Sequence, residues 1–270
     1  MTCQSQFKPA SADNALIGEG EAIERLALRS LHEAAPPDLR RDLALDWCEG
    51  HSVTASVAAG LPQSAIVANR AFLTRDADLS TAAEPFRAAG VARFFLHMPH
   101  GTSFPAEHGF KEARAWQRFF RFQGAELPDA PALDIERVTP GSSAGAAARI
   151  VCAAFDLGTA AEPWLARLCH DPRWQIFLAR IDGVPAGTGA LFVSNDAGWC
   201  DWGATAPAFR GRGVQLALLR HRLLVADALG LARVHTCTGA PATGDPQHSY
   251  RNILRSGFAA TILRGNLAPV

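Results

Sequence analysis

Apolar positions along this chain switch repeatedly between helical and strand spacing. Over residues 19–34, Ile23, Leu26, Ala27, Ser30 and Leu31 fall on one helical face, and Pro36-Pro37 ends the run. Asp38 stands where a cap would open a second helix through Trp47. Residues 51–59 alternate, with Val53, Ala55 and Val57 on one side, which predicts a strand; 64–73, with Ala65-Ile-Val-Ala68, predicts another. A short helix over 81–89 stops at Gly90, an apolar strand follows at 91–97, and the aromatic-rich 113–122 reads as the last strand of the first half. Residues 1–14 are polar, turn-rich and expected to be loosely held.

Residues 124–132 carry two prolines and no apolar period, which marks a linker between a first domain (1–123) and a second (133–270). Beyond it the pattern predicts a strand (133–138), a helix (143–156) and a second short helix (162–170). Two strands, 175–181 and 186–193, flank Asp182-Gly183, a hairpin signal. A strand at 199–205, a helix to about Leu229, a strand at 232–238, a helix over 248–256 and a final strand at 258–264 complete the series. The fold class is mixed α/β.

Composition narrows the setting. The 270 residues carry 26 Lys+Arg against 26 Asp+Glu, so no global field recruits nucleic acid or an anionic membrane. Six cysteines are scattered without a C-x-x-C pair, which argues against a disulfide framework or a zinc site and fits a reducing cytoplasm. No stretch approaches a membrane span and no leader pattern opens the chain, so a cytoplasmic protein is expected.

The chemistry concentrates at Ala206-Pro-Ala-Phe-Arg-Gly-Arg-Gly-Val-Gln215, between the 199–205 strand and the helix whose apolar face runs through Leu216, Leu219, Leu223 and Ala226. The first N–H groups of a helix lack partners and lie at its positive end. Gly211 and Gly213 remove side-chain bulk so that an anion can approach the backbone, and Arg210 and Arg212 add two cationic forks. The turn is a cradle for phosphate or pyrophosphate.

The spacing resembles the Arg/Gln-x-x-Gly-x-Gly/Ala signature of the GNAT superfamily of acyl-CoA-dependent N-acyltransferases. Arg210 and Gly213 match its first and fourth positions, while Gln215 departs from the usual Gly/Ala. The predicted order over residues 133–264, β-α-α-β-β-β-α-β-α-β, is that of a complete GNAT domain, a central mixed sheet flanked by helices. Ser249-Tyr-Arg-Asn252-Ile-Leu-Arg-Ser-Gly257-Phe258 looks like the late helix and Gly-Phe turn of that family. The resemblance implies acetyl-CoA or another acyl-CoA as cosubstrate, a small-molecule or peptide amine as acceptor, and no metal. It implies cofactor contacts along Ala204, Thr205, Ala206, Arg210, Gly211, Arg212, Gly213, Val214, Gln215 and Asn252. An N–H near Ala204 or Thr205 would polarise the thioester carbonyl.

Catalytic candidates are fewer. Ile253 stands where many family members carry the tyrosine that protonates the departing thiolate, and Tyr250 lies one helical turn away. Asp201, in an otherwise apolar strand, is the candidate base. The first half echoes the second: Ala89-Gly-Val-Ala-Arg-Phe-Phe with Gly109-Phe110 parallels Leu229-Gly-Leu-Ala-Arg-Val-His with Gly257-Phe258. A tandem protein with a degenerate N-terminal copy follows, because no Arg-x-x-Gly turn of the first half leads from a strand into a helix. The missing tyrosine and Gln215 leave open a non-catalytic acyl-CoA sensor, and nothing in the pattern decides whether the chain forms a homodimer. Gly141-Ser-Ser143-Ala-Gly145 also satisfies G-x-S-x-G, with Asp201 and His235 or His248 in hydrolase order, but Thr139-Pro140 separates strand from glycine and Ser142 or Ser143 is explained as a cap. His97 and His100 read as loop histidines.

Overall fold

The computed structural model describes residues 14–102 and 109–270; Cys3 and the rest of the stretch before Asn14 fall outside. The first half runs α1 (Asn14–Glu33), α2 (Pro37–Asp42), β1 (Leu45–Glu49), β2 (Val53–Ala58), β3 (Arg70–Leu73), α3 (Leu79–Ala88), β4 (Phe95–His97) and β5 (Phe110–Phe122). The second half runs β6 (Asp134–Arg137), α4 (Ser142–Ala154), α5 (Glu162–Ala166), β7 (Trp174–Ile181), β8 (Val184–Ser194), β9 (Ala197–Thr205), α6 (Val214–Ala228), β10 (Arg233–Gly239), α7 (His248–Arg255) and β11 (Ala259–Pro269). Residues 124–132 contain no helix or strand.

Three first-half expectations change. The helix expected through Trp47 stops as α2 at Asp42, because Ala44 turns left-handed (φ 46°) and residues 45–49 gain a full antiparallel ladder with β2. Ala65-Ile-Val-Ala68 is buried as tight turns, not a strand: Ala65 and Ala68 donate back to Pro62 and Ala65, and Asn69 Oδ1 accepts from Ala58 N at 2.8 Å. His97 is no loop residue; it sits in β4, 2 % exposed, with Nδ1 2.7 Å from Asn266 Oδ1.

All eleven strands among the described residues join one sheet in the order β1-β2-β3-β4-β11-β5-β10-β9-β8-β7-β6. Each half has one parallel pair, β3 with β4 and β9 with β10, and the ladders outside these pairs are antiparallel. The final strands are exchanged between the halves. The first half's β5 pairs with β10, and the second half's β11 pairs with β4, while β5 and β11 pair with each other. Neither half therefore completes its sheet without the other.

The packing crosses the halves as well. One apolar cluster joins Ile23, Leu28 and Leu31 of α1 to Trp164, Trp174 and Trp199 of the second half. Trp164 Nε1 donates to Leu31 O at 2.7 Å and Trp174 Nε1 to Ser30 Oγ at 2.9 Å, so the indoles fix α1 by direction as well as by area. This seating holds α1 across β9 and β5 and brings its Glu24 to the centre of the molecule.

Candidate active site

Strands β9 and β10 pair only over Arg233↔Ala197 to His235↔Trp199 and then part. The Thr236 hydroxyl still reaches Cys200 O at 2.9 Å, and beyond that point β9 has no strand partner on this side among the described residues. The parting is built into β9. Its register against β8 shifts between Thr188 and Ala190, and Trp202 opposite takes φ 49°, a strained value for a bulky side chain. The result is a cleft of about 770 Å³ between the 201–205 and 236–239 segments, open to the start of α6 at one end and to Glu24, Val67, Arg70 and Trp116 at the other.

At the α6 end no side chain caps the helix; the cap residue Gly213 is left-handed at φ 75°, and Gly211 is left-handed at 77°. Free N–H groups, the positive helix end and the exposed Arg210 and Arg212 give this end of the cleft the chemistry to receive an anion. Arg212 lies over the Phe209 ring, 5.6 Å from its centroid. The bulk argument holds differently at the two glycines. A Cβ on Gly211 would meet open space, whereas one on Gly213 would come within 2.6 Å of Pro131 Cγ. The space beside Gly213 is thus already filled by a residue of the 124–132 segment. Gln215 faces α7, donating to Ser249 Oγ at 3.1 Å and accepting from Asn252 Nδ2 at 2.8 Å. The residue that departs from the signature therefore ties two cleft-lining side chains in place.

The equivalent turn of the first half, between β3 and α3, is closed. Asp78 caps α3, its Oδ1 accepting from Thr81 N at 2.8 Å, so a carboxylate holds the position an anion would need.

Asp201 lies on the cleft wall, with Trp199 Nε1 donating to Oδ2 at 2.9 Å and Trp202 N to Oδ1 at 2.8 Å. Burial raises its carboxyl above the usual range, and the field of Arg70 and the two hydrogen bonds oppose that only in part. Arg222 of α6 is 4 % exposed and penetrates the sheet where Gly189 and Gly203 lack side chains, donating to Ala190 O and Asp201 O at 3.2 Å each. Cys237 faces the same cleft; burial pushes its thiol up to about 12, so it stays protonated.

Tyr250 goes elsewhere. Its ring packs edge-on against Phe119, centroids 5.4 Å apart, at the margin of a core cluster, while His248, Ser249, Asn252 and Ile253 of the same helix line the cleft. The hydrolase residues are not assembled. Ser143 Oγ bonds Thr139, His235 Nε2 meets Glu19 Oε1 at 3.1 Å, and Asp201 is held by the tryptophans. No group of three His, Cys, Asp or Glu among the described residues is arranged for a metal ion.

Four residues of this site were not expected: Glu24, Arg70, Trp116 and Arg222. The first three come from the first half of the chain, where no local pattern singles them out. Gly189 and Gly203 were the available signal for Arg222, since a glycine inside a strand marks a close approach.

A mixed sheet whose strands part beside an uncapped, glycine-turned helix start forms a cleft suited to an extended ligand with an anionic end. Residues 149–250 match the model of the Acetyltransferase (GNAT) family. The fold is shared along most of the chain with a GCN5-related N-acetyltransferase from Kribbella flavida (18 % identity, TM-score 0.59, covering 90 % of this chain and 95 % of that one). A GCN5-related N-acetyltransferase from Sphaerobacter thermophilus is similar at 20 % identity and TM-score 0.56 (81 % and 80 %). A tandem GNAT protein from the clavulanic acid biosynthesis pathway is similar at 14 % identity and TM-score 0.51 (96 % and 95 %), in keeping with a tandem arrangement here. No curated protein matches. No helix among the described residues is long and apolar enough to cross a membrane.

Proposed function

We propose that the protein transfers an acetyl or similar short acyl group from acyl-CoA to the amine of a second substrate, in the cleft that opens between β9 and β10 at the start of α6. The observation that carries this reading is the continuity of three features: the unpaired edge of β9, the uncapped start of α6, and a buried carboxylate between them and the far end of the cleft. When bound, acyl-CoA supplies an activated thioester carbonyl.

The chain's own groups suit that cosubstrate. The 210–215 backbone with Arg210 and Arg212 receives a pyrophosphate. Ala206 N–H is occupied by Ala186 O at 2.9 Å, so strand alternation turns the N–H groups of Thr205 and Gly203 toward the open edge. Those groups can pair with an amide-bearing arm as an added strand would, and Thr205 N–H can polarise a carbonyl.

Asp201 takes a proton from the incoming ammonium, a role favoured by the burial that raises its carboxyl above the usual range. The freed lone pair forms the C–N bond as the C–S bond breaks. Of the two protons that nitrogen loses, one passes through Asp201 to solvent and the other ends on sulfur. The protonated Cys237 plays no covalent part, so transfer is direct.

Calorimetry with CoA, followed by thiol release from acetyl-CoA with an amine panel, tests the proposal. One CoA per chain and amine-dependent release are expected. Two CoA per chain, or loss of binding on disrupting the α3 turn, would refute the single-site reading, because Asp78 closes that turn. Binding without release across a broad panel would favour a sensor.

A further inference from the structure

The far end of the cleft holds more buried positive charge than negative. Glu24 is 1 % exposed and is met by three arginines that are 4, 5 and 1 % exposed: Arg70, Arg118 and Arg264. Arg70 Nη1 donates to Oε1 at 2.6 Å and Arg264 Nη1 to Oε2 at 2.7 Å, and Arg118 Nη1 shares Oε2. Arg118 and Arg264 are further engaged, by Gly20 O at 2.7 Å and by a second bond to Glu24 at 3.3 Å. Arg70 is not. Its Nε is buried without a partner, and only Nη1 is hydrogen-bonded among the described residues, although Arg70 lines the cleft. Its guanidinium lies 5.2 Å from the centre of the Trp116 ring, another lining residue, which orients it.

The other groups around it do not balance the charge. His97, behind Arg264, is kept neutral by burial and by the two arginines. Cys237 is a neutral thiol. Arg222 adds a fourth buried guanidinium, and Asp201 is the second carboxylate on the cleft. Four guanidiniums thus face two carboxylates, and one of the two is the candidate base, which loses its charge on taking up a proton. A buried guanidinium with a free edge favours a planar anion with two acceptor oxygens.

We infer that the acceptor is an amino acid: its amine is held at Asp201 and its carboxylate binds the free edge of Arg70 beside Trp116. The inference rests on the acyl-transfer reading above and names the substrate class of that same site. The reaction is then N-acylation of a zwitterion, in which the carboxylate stays bound and only the ammonium end gives up protons. The apolar lining from Val67, Ala154 and Phe155 leaves the amino acid's side chain against nonpolar surface. Glu24 is a positioning residue, holding Arg70 without touching substrate.

The test compares matched acceptors on the wild-type protein by thiol release from acetyl-CoA. Free amino acids are paired with their carboxamides and with the amines left on decarboxylation, and CoA affinity is measured separately by calorimetry. Amino acids should exceed both analogues in kcat/KM by about 100-fold or more, because a site built for a polar group rejects ligands lacking it. Arg70→Gln should raise KM for the amino acids, leave CoA affinity unchanged and narrow the gap to the amines. Amines or carboxamides turned over as well as amino acids would overturn the inference and leave the acyl-transfer reading standing. Failure of CoA to bind the folded wild-type protein would overturn both. The wild-type comparison decides the question even if Arg70→Gln does not fold.

Discussion

Glu24→Gln keeps the side chain's size and removes the one carboxylate that three guanidiniums share. Glu24 belongs to α1, Arg70 to β3, Arg118 to β5 and Arg264 to β11, so the cluster pins a helix to three strands drawn from both halves of the chain. Glutamine can accept through one oxygen, but its amide nitrogen would face arginines that can only donate. Removing one side of a buried ion pair costs about 3–5 kcal/mol because the opposite charge stays buried. With three cations stranded, the upper part of that range applies. At about 2–4 °C per kcal/mol for a chain of this size, a loss of about 4–5 kcal/mol should lower the melting point by about 8–20 °C.

The acid side gives an independent check. Burial would raise the Glu24 carboxyl, but Arg118, Arg264 and Arg70 outweigh it and hold it well below the usual range. A carboxyl depressed in the folded state contributes stability that is present above its unfolded value and is lost as pH falls through the folded one. Wild-type stability should therefore decline through the acid range below the ordinary glutamate value, and the Glu24→Gln profile should be flatter there. Urea unfolding followed by circular dichroism from pH 7 downward measures both effects. A loss below about 1 kcal/mol at pH 7, with parallel acid profiles, would show that Glu24 is not the charge that holds these arginines. Because β5 and β11 are exchanged, both halves should unfold in one transition.

Asp201→Asn should remove the acid limb of the pH–rate profile and lower kcat by about 10²–10⁴-fold. The same change should leave stability equal or higher near neutral pH, since a raised folded pKa means the ionised form is disfavoured by folding there; a thermal melt beside the kinetics separates these outcomes, and an unaltered acid limb would assign the base elsewhere. Gly213→Ala should destabilise by about 1–2 kcal/mol, combining a left-handed backbone with the approach of Pro131, and should weaken CoA binding; unchanged urea midpoint and CoA affinity would contradict the packing. Tyr250→Phe should keep kcat within about threefold of wild type, because the ring packs on Phe119 and is not among the residues lining the cleft; a drop of 10² or more in thiol release would restore it as the acid.

Local pattern was enough for the second half. The apolar stripe from Leu216 to Ala226, the hairpin at Asp182-Gly183 and the glycine turn before Val214 each depend on near neighbours, and α6, β7 and β8 follow them closely. The uncapped start of α6 was legible for the same reason, since a helix start and its free N–H groups are set by a few consecutive residues. The first half read less well where long-range pairing decided the outcome. Residues 45–47 have no intrinsic objection to helix, and it is β2 alongside that makes them a strand. Ala65 to Ala68 look like a strand by composition, yet they are buried as turns because Asn69 and Ala58 bond across them.

The end of the cleft away from α6 was decided by tertiary structure alone. Glu24, Arg70 and Trp116 are separated by 46 residues in each step, and nothing in their local sequences draws them together. The exchange of β5 and β11, and the seating of α1 by Trp164 and Trp174, carry them to one end of the cleft. A buried charge cluster of this kind has no sequence signature, because its members need only meet in space. Helix starts and turns are encoded by adjacent residues; a pocket wall assembled from α1, β3 and β5 exists only once the sheet has closed.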